Sequence, residues 1–215
     1  MRDRLRKSDY EVRAITGAEA RPFIAEHHYS KGSSNTSVFR HGLFRKGDDE
    51  LLGVVIWLPP TRRACESVNK VQWKDVLSLS RMAVAPGVPK NACSFLLGAS
   101  VRDIRAGGRY VSLVTYADKW QDHDGHVYSA CGWFRIGEMP GSDKWIDANG
   151  RQIARLSTRS RSVSEMEALG YRRIGKFGKV KFTLHLVAGL EGALLRLDDA
   201  LESLRLTMKR RKLFP

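Results

Sequence analysis

The sequence predicts an α/β fold of the α+β kind, in which helices flank a mixed, mostly antiparallel sheet and a further helix ends the chain. Short apolar segments bounded by turn residues indicate strands near the start. Between Arg81 and Gly137 the pattern is strand, loop, helix, strand, short helix and strand. Leucines at helical spacing follow later. We therefore expect one domain over residues 1–186 and a C-terminal helix with a basic tail over residues 187–215.

Local signals place the elements of this fold. Thr16 followed by Glu19 is a capping-box pattern that begins a helix, and Gly107 with Gly108 ends a later one. The predicted order is strand 10–16, helix 16–27, loop 29–36, hairpin strands 37–45 and 51–58, polar connection 61–75, strand 77–84, helix 91–106, strand 110–116, short helix 124–131, strand 133–137, a hairpin with arms 145–147 and 151–153 around Asn149-Gly150, and strand material within 171–186.

The charge balance is the clearest bulk signal. The 37 Lys and Arg residues exceed the 23 Asp and Glu residues, which gives a formal charge of +14 and a pI of about 10.0. Such an excess on a small domain favours a polyanionic partner such as nucleic acid. Two alternatives stay open, namely a basic protein without a nucleic-acid role and, more weakly, a protein that binds anionic membrane surfaces.

Membrane insertion, secretion and a disulfide framework are not expected. No apolar run is long enough for a membrane span, and the segment MRDRLRKSDY lacks the apolar core of a signal peptide. Cys65, Cys93 and Cys131 are odd in number and widely spaced. They indicate reduced thiols rather than a disulfide or zinc framework, so we expect a cytoplasmic protein.

The C-terminal helix carries a regular apolar seam. Its leucines recur with the 4-3-4-3 spacing of a coiled-coil seam; they are Leu190, Leu194, Leu197, Leu201 and Leu204. The seam either docks the helix on its own domain or forms a homodimer contact. The basic residues after it are either a solvated end or a phosphate contact.

The loop at residues 85–94 opens a helix and presents unpaired backbone N–H groups, which suits a phosphate or carboxylate. The expected donor-binding residues are Lys90, Asn91, Ala92 and Cys93. Ser94 lies at the helix start, where it either caps the helix or orients a donor carbonyl. A structural turn is the alternative interpretation of the whole loop.

Other chemistry-bearing residues lie at a loop mouth, a strand end and a short helix. His28 and Tyr29 offer a base and a phenol. Asp118 ends an apolar strand after Tyr116, where ligands bind in open sheets. Tyr128 projects from the short helix toward the same crevice. His123, Asp124 and His126 match no strong zinc signature, so we expect a solvated turn and no metal site.

Four segments in this order, EHHYSKG, LSRMAVAPGVPKNACSFLLG, LVTYAD and GHVYSACGWFRIG, resemble the Mom DNA-modification proteins of bacteriophages, which are similar to divergent GNAT acyltransferases. The resemblance covers roughly residues 20–185 and implies a GNAT-like catalytic domain. It carries functional roles to His28, Tyr29, Ser94 and Asp118, with Tyr116 and Tyr128 as neighbours. PKNAC replaces the closely spaced glycines of the GNAT pyrophosphate motif, which argues against ordinary acetyl-CoA binding.

The resemblance implies that a carbamoylmethyl group is placed on N6 of adenine in double-stranded DNA, in the host cell cytoplasm, where it protects phage DNA from restriction. The added unit has the atoms of one glycine residue, so our hypothesis for the donor is glycyl-tRNA. Acetyl-CoA with a later, perhaps iron-assisted, amination is the competitor. Asp118 and His28 would manage the N6 proton, and Tyr29 and Ser94 would position the donor carbonyl. A GNAT acetyltransferase acting on a protein or small amine, and a non-catalytic DNA-binding anti-restriction protein, are the alternative functions.

A duplex substrate requires extrusion of the adenine and contacts to phosphate. Aromatic residues that could stack on the base are Trp57, Trp73, Trp120 and Phe39, each of which is alternatively a core or rim residue. Expected phosphate contacts are Arg62, Arg63, Arg155, Arg159, Arg161, Lys209, Arg210, Arg211 and Lys212.

Overall fold

A computed structural model describes residues 4–153 and 160–213, with the side chains of Leu190 and of residues 210–213 left out. The described chain forms a seven-stranded sheet in the order β1-β2-β3-β4-β5-β7-β6. Its strands are β1 Tyr10–Ala14, β2 Phe39–Arg45, β3 Gly53–Leu58, β4 Val76–Val84, β5 Ser112–Asp118, β6 Phe134–Ile146 and β7 Arg172–His185. All neighbours pair antiparallel except β4 and β5. The predicted mixed, mostly antiparallel sheet is confirmed.

The helices flank this sheet as predicted, with two additions. They are α1 Gly17–His27, α2 Arg62–Glu66, α3 Ala92–Ala106, α4 His126–Ala130, α5 Val163–Ala168 and α6 Gly189–Leu213. Thr16 caps α1, because its hydroxyl accepts from the Glu19 N–H at 3.2 Å while the Glu19 carboxylate accepts from the Thr16 N–H at 2.7 Å. The polar connection predicted over residues 61–75 contains the short helix α2, which was not predicted. Helix α5, begun by a second capping box at Ser162, was not predicted.

Two apolar layers cover the sheet. On one face Leu96 and Leu97 of α3 pack with Trp57 and Leu77, all at 5% exposure or less. On the other face Ile24 of α1 packs in a cluster with Val54 and Ile56 of β3, because successive side chains of a strand point to opposite faces of the sheet. Strand β3 is therefore buried on both sides, which fixes the centre of the sheet.

Strands β4 and β5 pair over a short stretch and then separate. The parallel ladder joins residues 76–78 to residues 112–114 and goes no further. Strand β4 continues to Val84 and β5 to Asp118. Because the strands run in the same direction, their separation opens a crevice at their carboxyl ends, where ligands bind in open sheets.

Strands β6 and β7 extend beyond the rest of the sheet. Strand β5 pairs with β7 only over residues 179–185, whereas Ser142–Ile146 pairs with Arg172–Phe177 alone. We call this two-stranded extension the β6–β7 ribbon. The predicted strand at 133–137 is thus much longer. The predicted turn at Asn149-Gly150 is present, with φ of 76° at Gly150 and a bridge between Ile146 and Gln152.

Helix α6 docks on its own domain through polar side chains. Asp199 lies 3.0 Å from the His185 Nε2, and the His185 Nδ1 lies 2.7 Å from the Ser112 hydroxyl. Thr183 also donates to Asp199. The seam residues Leu194, Leu197, Leu201 and Leu204 do not make this contact, since each is about half exposed. None of the described helices is long and apolar enough to span a membrane.

Candidate active site

A cavity of about 450 Å³ occupies the crevice between the diverging strands. Its walls are the end of α1 with the following loop, β4 from Leu79 to Val84, Thr115 and Tyr116 of β5, and the turn at residues 121–128. The structure therefore brings together segments that lie almost 100 residues apart. Four of the six predicted catalytic residues line this cavity, namely His28, Tyr29, Tyr116 and Tyr128.

His28 is 8% exposed. Its Nδ1 accepts from the Ser30 backbone N–H at 3.1 Å, so the neutral ring carries its proton on Nε2. Burial lowers the pKa of His28 to about 4, with Arg81 adding to the effect. His28 is therefore neutral near pH 7 and can donate a hydrogen bond through Nε2. The expectation of a near-neutral base at this position is corrected.

Tyr29 stacks on His28 with ring centroids 4.4 Å apart and meets the edge of the His123 ring at 5.9 Å. Burial, together with the nearby Asp118 charge, raises the pKa of Tyr29 to about 12. The phenol thus stays protonated at neutral pH. It is a second hydrogen-bond donor beside His28.

Asp118 lies behind the cavity wall. It is 3% exposed and is not among the lining residues. One carboxylate oxygen accepts from the Trp120 N–H at 3.1 Å, and the other lies 3.7 Å from the Nζ atoms of both Lys144 and Lys179. Its backbone carbonyl accepts from the His123 N–H at 3.3 Å. Asp118 therefore holds the turn that carries His123 into the cavity.

Tyr116 and Tyr128 face the cavity from β5 and α4. Burial raises the pKa of both phenols. Tyr128 also packs against Trp133 and Phe182, with ring centroids 5.9 and 5.3 Å away. Tyr128 therefore packs in the core and lines the cavity at the same time.

The predicted donor loop lines a second hollow of about 290 Å³, which includes Lys90 and Cys93. Val84 and Cys93 line both hollows, which are therefore neighbours. The other loop residues are less available. The Asn91 side chain bonds to the backbone of Leu5 at 2.7 and 3.3 Å, and Ala92 is buried. The Ser94 hydroxyl donates to the Asn91 carbonyl at 2.9 Å and lines neither hollow.

Two cavity residues were missed or passed over in the sequence. Arg81 was not singled out, because an arginine inside a strand gives no local signal. Its half-buried guanidinium donates to the Gly32 carbonyl at 2.7 Å, and burial lowers its pKa. The sequence predicts a solvated turn at His123, yet this residue lines the cavity. No group of three or more metal-ligating side chains occurs among the described residues.

Of the aromatic residues predicted to stack on the base, some lie in the core and others near the surface. Trp57 is fully buried and donates to Ser100 at 2.6 Å, so its assignment as a base platform is wrong. Phe39 packs against Tyr110. Trp73 is half-buried, with Arg62 5.0 Å over its ring. Trp120 is also half-buried and precedes the cavity-lining Gln121 in the sequence. Its ring centroid lies 6.2 Å from that of Phe177 in the ribbon.

The predicted phosphate contacts are scattered. Arg62 and Arg63 are exposed on α2, where Arg62 pairs with Glu66 at 2.7 Å. Arg161 and Lys209 are exposed as well. Arg155 and Arg159 lie outside the described residues, as do the side chains of Arg210, Arg211 and Lys212.

Comparison with known proteins supplies a family and a fold. A family model described as the Mom protein family matches residues 9–183. An acetyltransferase of Bacillus subtilis in complex with CoA is 15% identical, with a TM-score of 0.51 over 83% of this chain and 99% of that one. An N-acetyltransferase of Staphylococcus aureus is 12% identical, with a TM-score of 0.52 over 83% and 99%. A spermidine N-acetyltransferase of Vibrio cholerae in complex with CoA and spermine is 10% identical, with a TM-score of 0.50 over 84% and 97%.

None of the curated proteins matches the sequence. At these identities the solved structures show the fold alone, and they confirm the predicted GNAT-like architecture.

Proposed function

The chain belongs to the Mom protein family, and we propose that it places a carbamoylmethyl group on N6 of adenine in double-stranded phage DNA, which shields the DNA from restriction. The observation that carries this proposal is the cavity between β4 and β5, in which two protonated donors, His28 and Tyr29, lie side by side. Such donors suit an acyl transfer, because negative charge develops on the carbonyl oxygen of the donor as the nucleophile attacks.

The proposed donor is glycyl-tRNA. Adenine N6 attacks the glycyl ester carbonyl, and the ribose hydroxyl of the tRNA leaves with a proton. The glycyl amine then attacks C6 through a five-membered ring, and the original N6 leaves C6 as an amide nitrogen. The product is the carbamoylmethyl isomer, with no atoms gained or lost in the second step. The formal charge of +14 would serve both polyanionic substrates.

The N6 proton requires an acceptor in the cavity. The lowered pKa of His28 makes it a weak base, and Asp118 lies behind the wall between two lysines. We assign proton removal to His123, whose exposed ring lines the cavity. Asp118 is then a positioning residue, which holds the His123 turn and places negative charge behind Tyr29.

Asp118→Asn separates this role from direct proton transfer. The amide oxygen still accepts from the Trp120 N–H, so the turn is kept and modification should fall less than about 10-fold, whereas Asp118→Ala should lower it more than about 100-fold. Both variants are checked for folding by thermal unfolding. A loss in Asp118→Asn as large as in Asp118→Ala, with folding intact, would mean that the carboxylate itself takes the proton.

DNA approach is assigned to the β6–β7 ribbon. Adenine N6 lies in the major groove, which admits a two-stranded ribbon. Arg172 and Lys176 are exposed on the ribbon and have no carboxylate partner among the described residues. At its base Trp120 contacts Phe177 and neighbours the cavity, so it suits stacking on an extruded adenine.

A second candidate is an acetyl-CoA-dependent N-acetyltransferase. It is favoured by the shared fold with acetyltransferases solved in complex with CoA and by the loop hollow beside Lys90. Purified protein is therefore incubated with duplex DNA and either glycyl-tRNA or acetyl-CoA, and the nucleosides are analysed by mass spectrometry. The proposal expects adenine heavier by one glycine residue with glycyl-tRNA alone. Product with acetyl-CoA but not with glycyl-tRNA rejects this donor, and binding of DNA without any mass change favours a non-catalytic protein.

A further inference from the structure

The outer face of α6 exposes a continuous apolar seam. Its residues follow the 3-4-3-4 spacing of coiled-coil core positions. Each is close to half exposed or more: Leu194 54%, Leu197 55%, Leu201 47%, Leu204 60% and Met208 62%. Isolated exposed leucines are common, but a contiguous row of this kind marks an interaction surface.

The opposite face of α6 attaches the helix to the domain. Asp199 bonds to His185 and Thr183 of β7, and Arg196 donates to the Val187 carbonyl at 2.9 Å. Gly192 is buried, so the helix approaches its own chain closely there. The seam is therefore not the docking face of a detached helix. It remains exposed to solvent after the helix has docked.

The charges beside the seam are segregated along the helix. Glu191 and Asp198 lie next to its first half, whereas Arg205 and Lys209 lie next to its second half, and all four are exposed. Counted as heptads with Leu194 and Leu201 at the first core position, the acidic residues and Arg205 fall on one flank, at the e position. The g positions of the other flank are small or uncharged: Ala193, Ala200 and Thr207.

We propose that the seam binds the same seam of a second copy of this chain, with the two α6 helices antiparallel. An antiparallel pair brings the acidic half of each helix beside the basic half of its partner, whereas a parallel pair sets each charged e position against an uncharged g position and gains no such attraction. The contact is isologous, so each apolar residue is used twice. The small g positions let the helices approach closely on that flank.

The contact is short. The seam from Leu194 to Met208 spans about 21 Å at 1.5 Å per residue, which is less than the length of helix that supports an independent coiled coil. Pre-attachment of α6 to the domain lowers the ordering cost of pairing. We therefore expect a reversible dimer with a dissociation constant in the micromolar range, which sedimentation velocity over a range of protein concentrations detects.

Leu197→Glu and Leu201→Glu test the seam in the full-length protein. Each should weaken dimerisation by at least about 100-fold, because the substitution occurs twice at the centre of the contact. Val71→Glu is the matched control, since Val71 is 88% exposed on the connection after α2 and should leave the dimer unchanged. Wild-type protein that stays monomeric at high concentration, or a dimer that survives both glutamates, overturns the proposal.

A charge exchange tests the antiparallel orientation. Asp198→Lys and Arg205→Glu should each weaken the dimer, and the double variant should restore it by at least about half of the combined loss. In a parallel pair these flanks face uncharged g positions, so the single variants would have little effect and the double variant would restore nothing. That outcome would overturn the antiparallel arrangement. A conserved circular dichroism spectrum in every variant excludes unfolding of α6 as the cause.

Discussion

The ring of Tyr29 stacks on the ring of His28 with centroids 4.4 Å apart, and burial holds both side chains in their neutral, protonated-donor forms. The pair forms one wall of the cavity between the separating ends of β4 and β5. Stacking fixes the two rings relative to each other without a direct hydrogen bond between them. Both polar hydrogens are therefore available to a substrate oxygen or a ring nitrogen of the base.

Tyr29→Phe should lower modification by about 100-fold or more, because it removes one donor to the developing oxyanion while the ring stack is kept. Product formation per enzyme is measured by nucleoside mass spectrometry, and DNA affinity is measured in parallel. Tyr171→Phe, outside the cavity lining, is the control. Unchanged activity in Tyr29→Phe would remove the phenol from the mechanism.

His123→Gln should lower modification by about 100-fold or more and leave DNA binding intact, since general bases typically contribute 10²–10⁴-fold. His126→Gln serves as the control, because the His126 side chain is 91% exposed and pairs with Asp124 at 2.7 Å. Equal effects of the two substitutions would contradict the assignment of His123 as proton acceptor.

Protonation of His28 should destabilise the protein in acid. The pKa of His28 is about 4 in the folded protein and about 6.5 when the chain is unfolded. The unfolded chain thus binds the proton more tightly, so stability is complete above pH 6.5 and is lost as the pH falls toward 4. The loss should reach about 3 kcal/mol.

Denaturant unfolding at a series of pH values measures this loss. His28→Gln should flatten the dependence between pH 4 and 6.5, whereas His126→Gln should leave it as in the wild type. If the free energy of unfolding of the wild type changed with pH no more than that of His28→Gln, His28 would not be buried as described.

Removal of one positively charged side chain from the ribbon should weaken DNA binding and lower the salt dependence of that binding. Arg172→Ala and Lys176→Ala should each lower the slope of log affinity against log salt by about 0.9. Lys46→Ala, in the exposed turn after β2 at the other edge of the sheet, should leave the slope unchanged. An equal loss at Lys46 would mean that DNA binds diffusely, without the ribbon as its contact.

Much of the fold follows from local sequence. The capping box at Thr16, the glycines after α3 and the alternation in β2 and β3 are short-range signals, and the elements they predict are present. The length of β6 and β7 was not foreseen, because bulges near Gly137, Met139 and Lys144 interrupt the alternation. The sequence also leaves undecided which side of α6 docks on the domain, because that side is set by the contact of Asp199 with His185, which is distant in the sequence.

Four residues singled out in the sequence line the cavity, and their catalytic roles remain predictions. Sequence order identified His28, Tyr29, Tyr116 and Tyr128, which the fold gathers around one cavity. The protonation of His28 depends on burial and on Arg81, and neither is visible in the chain. The same holds for Asp118, whose two lysine partners come from β6 and β7. Ser94 lies at a helix start as expected, but its hydroxyl faces the Asn91 carbonyl.

On the proposed route, the glycyl group of an aminoacyl ester is transferred to adenine N6 and then rearranged. Glycyl-tRNA carrying ¹⁵N in the glycine amine tests it most directly, in a reaction with the purified protein and duplex DNA. We expect carbamoylmethyladenine with the label on the nitrogen attached to C6 and none in the terminal amide, as read from the fragment ions of the nucleoside. Label in the terminal amide, or an unlabelled product, would contradict it.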